Sequence, residues 1–146
     1  MIRKLSLVVA VMCSIIAPRS AEPETNLDGI WTITVQDGEC EFGGQAAVRG
    51  SDIDVRFVAD LTLRHACPTF PDDGFVVIQT SEISVMNGQV SVRSKIVDFA
   101  TTESWGVYAP DHFALTIKSA ERLFGIQTDR YGTKPAEWVR SKAGVS

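Results

Sequence analysis

Asn87-Gly88 stands between two β-rich stretches, SEISVM and QVSVRSK. Asparagine and glycine tolerate the left-handed backbone that a two-residue type I′ turn requires, so the pair predicts a tight hairpin. That turn also sets the register. Met86 opposes Gln89, Val85 opposes Val90, Ile83 opposes Val92, and Glu82 opposes Arg93 on the polar face. Ile83, Val85, Val90 and Val92 are then expected to face a core together. A cross-strand charge pair such as Glu82–Arg93 contributes only about 0.2–1 kcal/mol, but it favours the same register.

Alternation of period two recurs along the chain. In DIDVRFVADLTLR one face carries Ile53, Val55, Phe57, Ala59, Leu61 and Leu63. The other carries Asp54, Arg56, Asp60, Thr62 and Arg64, with Val58 the exception. That is the pattern of a half-buried antiparallel strand. GIWTITV places Trp31, Ile33 and Val35 on one face, and QDGE then turns the chain. In FGGQAAVRG the strand signal is weaker, because Gly43 and Gly44 point to a bulge or a close backbone approach. HACPTFPDDG reads as a rigid loop.

SWGVY and HFALTIK predict two further strands, separated by a turn at APDH. Over 113–124 a helical stripe of Phe113, Ile117, Ala120 and Phe124 competes with the alternation of Phe113, Leu115 and Ile117. We favour strand, a turn near SAER, and a strand LFGIQT. PAEW suggests one helical turn, and WVRS the start of a last short strand. The expectation is an all-β domain of seven to eight strands, a small antiparallel barrel or sandwich with room for one short helix near the C-terminus. Closure removes exposed strand edges, which favours the barrel.

The first 21 residues have a different character. Arg3 and Lys4 precede an apolar run from Leu5 to Ala17, which Pro18 and the small residues Ser20 and Ala21 end. This is the pattern of a secretory signal peptide, and the run is shorter than the roughly 20 residues of a membrane span. We therefore expect residues 1–21 to be a signal, 22–28 a polar leader and 29–146 one domain, exported to a periplasm or medium without stable membrane insertion. Removing 1–21 takes away Arg3, Lys4 and Arg19 and no acid, so the formal net charge moves from −4 to −7. Such a surface opposes phosphate, and nucleic acid is not an expected partner.

Processing would leave Cys40 and Cys67. In an oxidising compartment two cysteines suggest one disulfide, here closing a loop of about 28 residues and worth about 3–4 kcal/mol. Cys40, His65, Cys67 and His112 are the residues from which a metal site could be assembled. No second pair shows the short spacing of zinc ligands, so neither metal nor cofactor is expected.

GIW at 29–31 resembles the start of the first barrel strand in the lipocalin and avidin groups, which is also Gly, any residue, Trp. TDRY at 128–131 resembles the late Thr-Asp-Tyr signature of lipocalins, with Arg130 inserted. In that family the tryptophan closes one barrel end and a late arginine packs over it. The resemblance implies these roles for Trp31 and Arg140, and it implies no ligand.

Two functional readings follow. The first is a non-enzymatic binding, accessory or inhibitor protein, contacting a protein or a small hydrophobic ligand through loops or a barrel mouth. Its candidate surface is aromatic: Trp105, Tyr108 and Phe113 in FATTESWGVYAPDHF, with Tyr131 and Trp138 in DRYGTKPAEW. The second is a small hydrolase or lyase using His65 or His112 as base with Asp111 or Asp72. No nucleophile motif stands beside either histidine, and the first reading is preferred.

Overall fold

The computed structural model describes residues 26–38, 40–51, 56–66, 75–99 and 108–142. Eight strands follow one another: β1 (Gly29–Asp37), β2 (Cys40–Ser51), β3 (Arg56–Ala66), β4 (Phe75–Met86), β5 (Gln89–Phe99), β6 (His112–Ser119), β7 (Arg122–Asp129) and β8 (Gly132–Arg140). Each pairs antiparallel with the next, and β8 returns to β1, so the sheet closes as a barrel in simple meander order. Cys67, Asp72, Trp105 and the SWGV part of the expected SWGVY strand lie outside the described residues.

Local chemistry accounts for most of this order. Asn87 and Gly88 take φ of 52° and 73°, and the β4–β5 ladder has Met86↔Gln89, Val85↔Val90, Ile83↔Val92 and Glu82↔Arg93. Ile83, Val90 and Val92 are buried and Val85 is half-buried. Phe57, Ala59, Leu61 and Leu63 of β3 point inward, as do Trp31, Ile33 and Val35 of β1. Each such large side chain contributes about 1.5–3 kcal/mol on burial.

Gly43 and Gly44 mark a close approach, not a bulge. Register runs unbroken through Thr34↔Gly43 and Ile33↔Gly44 on one side and Gly43↔Arg64 and Gly44↔Leu63 on the other. A Cβ at Gly43 would overlap the Ile33 carbonyl, and one at Gly44 the Thr62 carbonyl. The missing side chains let β2 curl tightly enough for the sheet to close.

Residues 113–124 are strand–turn–strand, because Phe113 and Leu115 both insert into the core while Ala114 stays outside. The expected helical turn at PAEW is corrected: 135–138 lie within β8, and the described residues contain no helix. Pro135 is tolerated because the β1–β8 ladder ends at Val35↔Ala136, so the proline lies just past the stretch where β1 demands an N–H. Ala136 and Trp138 then face inward, and Glu137 meets Arg122 at 2.6 Å on the outer wall.

One end of the barrel is sealed. The 26–28 segment lies over it, with Leu27 buried and the Trp31 indole donating to the Leu27 carbonyl at 2.9 Å. The Arg140 guanidinium sits 4.4 Å from the Trp31 ring centroid, the arrangement that the resemblance implies. Its Nη1 donates to the Asp28 carbonyl, its Nη2 to Asn26 O at 2.7 Å, and its Nε to Ala120 O at 3.0 Å. One planar fork thus ties the N-terminal segment, the β6–β7 turn and β8 together. Arg140→Lys is expected to keep the charge but lose the fork, lowering stability by about 1–3 kcal/mol in urea unfolding. A loss as small as that of an outer-wall Arg49→Lys control would show that the fork does not hold this end.

Candidate functional site

At the opposite end the inward faces turn polar. Gln79, Ser81, Ser94, Asp111 and Gln127 are all buried there. The β1–β2 turn, the β7–β8 turn and the irregular residues 108–111 lie at this end. Pro110 interrupts regular pairing just before β6, and Asp111 turns inward from that break.

Asp111 is the hub. Its Oδ2 accepts from Gln79 Nε2 at 2.7 Å and from the Tyr108 hydroxyl at 2.6 Å. Its Oδ1 accepts from Gln127 Nε2 at 2.6 Å. The Asp111 backbone N–H returns a bond to Gln79 Oε1 at 2.9 Å, which fixes the orientation of that amide. Burial pushes the carboxyl up from its ordinary value, and the three donors pull the other way without overcoming it.

Tyr108 links the hub to His65. Because the phenol gives its one proton to Asp111, the 2.6 Å contact with His65 Nε2 requires the imidazole N–H to donate to the phenol oxygen. Burial, and secondarily the Lys134 charge, lower the His65 pKa to about 4, so the ring is neutral at pH 7. Burial, then the adjacent Asp111 charge and hydrogen bond, push the Tyr108 phenol well above its ordinary range. Phe42 stacks on His65 with ring centroids 4.2 Å apart, and Phe99 meets Tyr108 edge-on at 5.8 Å.

An ion cluster completes the mouth. Lys134 Nζ lies 2.7 Å from Asp129 Oδ2 and 3.6 Å from Asp37 Oδ2. Burial opposes the charge on both Asp129 and Lys134. Their mutual hydrogen bond prevails, holding Asp129 below the usual carboxylate range and Lys134 above the usual amine range. Gln127 Nε2 also reaches Asp129 Oδ2 at 3.2 Å, so the network runs unbroken from Asp37 to His65.

The structure therefore brings together His65, Tyr108 and Asp111. His112 stands apart, half-buried, its Nδ1 accepting the Ser94 N–H at 3.2 Å. Phe113 and Trp138, expected on a binding surface, are core residues that meet edge-to-face at 5.2 Å. Both occupy inward strand positions, so burial wins over loop exposure. Among the described residues the buried Trp138 indole N–H has no hydrogen-bond partner. Tyr131 is exposed at the tip of the β7–β8 turn.

Gln79, Gln127, Asp129, Lys134 and Phe42 were not singled out from the sequence. A signal existed: β4 reads Val77, Gln79, Ser81, Ile83 and β7 reads Leu123, Gly125, Gln127, Asp129 on their inward faces. In both strands the core face becomes polar toward the same end.

No protein family and no curated protein matches the sequence. Among solved structures, the chain is similar to a de novo designed fluorescence-activating β-barrel, with a TM-score of 0.59 and 13% identity over 81% of this chain and 96% of that one. It is also similar to a redesigned β-barrel, mFAP1, solved bound to DFHBI, with a TM-score of 0.58 and 12% identity over 79% of this chain and 94% of that one. At such identities the likeness is one of fold.

His65 gives the site a pH signature. Its folded pKa lies below its unfolded value, so the folded state resists a proton that the unfolded chain accepts. Its contribution to stability is complete above about pH 6.5 and declines as pH falls toward 4, by up to about 3 kcal/mol. Urea unfolding between pH 7 and pH 4 should show this slope, and His65→Gln should flatten it. Equal slopes in both proteins would refute the assignment.

Proposed function

We propose that this chain is an exported, non-enzymatic binding protein whose barrel mouth takes a small, largely apolar ligand. The observation that carries the reading is the division of the interior. One end is apolar and sealed by Trp31 and Arg140, while the other gathers aromatic rings and buried hydrogen-bonding groups around Asp111. Small-molecule sites combine these two ingredients, mostly apolar walls and a few convergent polar groups. That a barrel of similar fold was solved bound to DFHBI is compatible with such a use.

The rival reading, a histidine-dependent hydrolase or lyase, has the His65–Tyr108–Asp111 contacts in its favour. The electrostatics oppose it. A general base works best with a pKa near the working pH, and His65 is pushed down to about 4 while Tyr108 is pushed up. Asp111 stabilises the phenol proton where it is. The arrangement suits holding a ligand in a fixed hydrogen-bond pattern better than moving protons.

Export and a Cys40–Cys67 disulfide belong to the same proposal. Their support is the signal-like N-terminus and the β2–β3 ladder. That ladder ends at Glu41↔Ala66, one residue short of both cysteines in sequence. Non-reducing mass measurement should find no free thiol, and Cys40→Ser should cost about 2–4 kcal/mol. Two free thiols in folded protein would remove this part.

Binding itself is tested by fluorescence titration with an environment-sensitive apolar dye. We expect one dye per chain, with affinity reduced at least fivefold by Phe42→Ala or Tyr108→Ala and unchanged by Met86→Ser at the sealed end. Dye binding that ignores the mouth variants would defeat the reading.

A further inference from the structure

Among the described residues, two buried groups at this end lack the partners their chemistry calls for. Asp111 is 0% exposed, and its carboxylate is met by Gln79, Tyr108 and Gln127, all uncharged donors. The cation of this cluster, Lys134, is engaged by Asp129 and Asp37. A buried charge is costly unless an opposite charge accompanies it.

The second group is Gln127, also 0% exposed. Its Nε2 donates to Asp111 Oδ1 and Asp129 Oδ2, which leaves no freedom to exchange the amide's two ends. Its Oε1 is buried without a hydrogen-bond partner among the described residues. An unpaired acceptor thus lies on the same amide that touches the uncompensated carboxylate.

Resting on the binding reading above, we propose that the ligand is a small protonated amine carried on an aromatic or apolar body. Its ammonium group donates to Gln127 Oε1 and supplies the positive charge that Asp111 lacks. An ammonium has donors only, matching a carbonyl oxygen whose own amide nitrogen is bonded to two carboxylates. Phe99 and Tyr108, which meet edge-on at 5.8 Å, offer ring surface for the body, and Lys134 Nζ, 5.7 Å from the Phe42 centroid, shows a cation held over a ring at the same end. A neutral alcohol would satisfy Gln127 but not the charge. Among the described residues, an anion would meet Asp37, Asp111 and Asp129 against Lys134.

The test is calorimetric titration of the full processed chain at pH 7 with three molecules of similar shape: 2-phenylethylamine, 2-phenylethanol and 3-phenylpropionate. The amine should bind one to one and at least tenfold more tightly than the alcohol, with the propionate weaker still. Asp111→Asn should bring the amine to within threefold of the alcohol. Because the series on the unaltered chain already decides the matter, the proposal stays testable if that variant does not fold. Alcohol or propionate binding as tightly as the amine overturns the proposal and leaves the binding reading standing. So does dye binding without any affinity for the amine. Failure of the dye and of all three molecules overturns both.

Discussion

The meeting of β1 with β8 is the constraint on which the other features depend. Six of the strands find their partners through the chain's own sequence of neighbours, but the first and last must find each other across the whole domain. Their ladder runs from Trp31↔Arg140 to Val35↔Ala136. Without it two edges would stand open, and the inward faces of both strands would lose half their surroundings. The Arg140–Trp31 contact lies at the end of this seam, so the residue that finishes the chain's last strand also fastens its first.

Closure converts alternation into an inside and an outside, and the inside is graded. Ile33, Leu61, Leu63 and Leu115 form an apolar middle, whereas Asp111 and its three donors sit nearer one rim. Burying a carboxylate among neutral partners opposes stability, and well-packed apolar side chains in the same positions would be more stable. The perturbed His65, Tyr108 and Asp111 mark that end as the chemically specialised one among the described residues.

How much of this was legible in the sequence depends on the range of the physics involved. The Asn87-Gly88 hairpin could be read residue by residue, because a two-residue turn fixes its register locally. The inward face of β3 could be read from alternation alone. β8 could not, since Pro135 and PAEW carry helix-like signals that only pairing with Ile126 and Trp138's burial override. The site was half legible. His65, Tyr108 and Asp111 each stand out in the sequence, but there Tyr108 groups with the aromatic residues of FATTESWGVYAPDHF and not with His65. Gln79 and Gln127 stand 32 and 16 positions from the aspartate they clamp, a relation that exists only once the barrel has closed.

Residues 26–28 are fastened to the barrel end through their carbonyl oxygens, which the N–H groups of Arg140 and Trp31 meet. That closure is therefore written at positions 31 and 140, and not in the polar side chains of the segment itself.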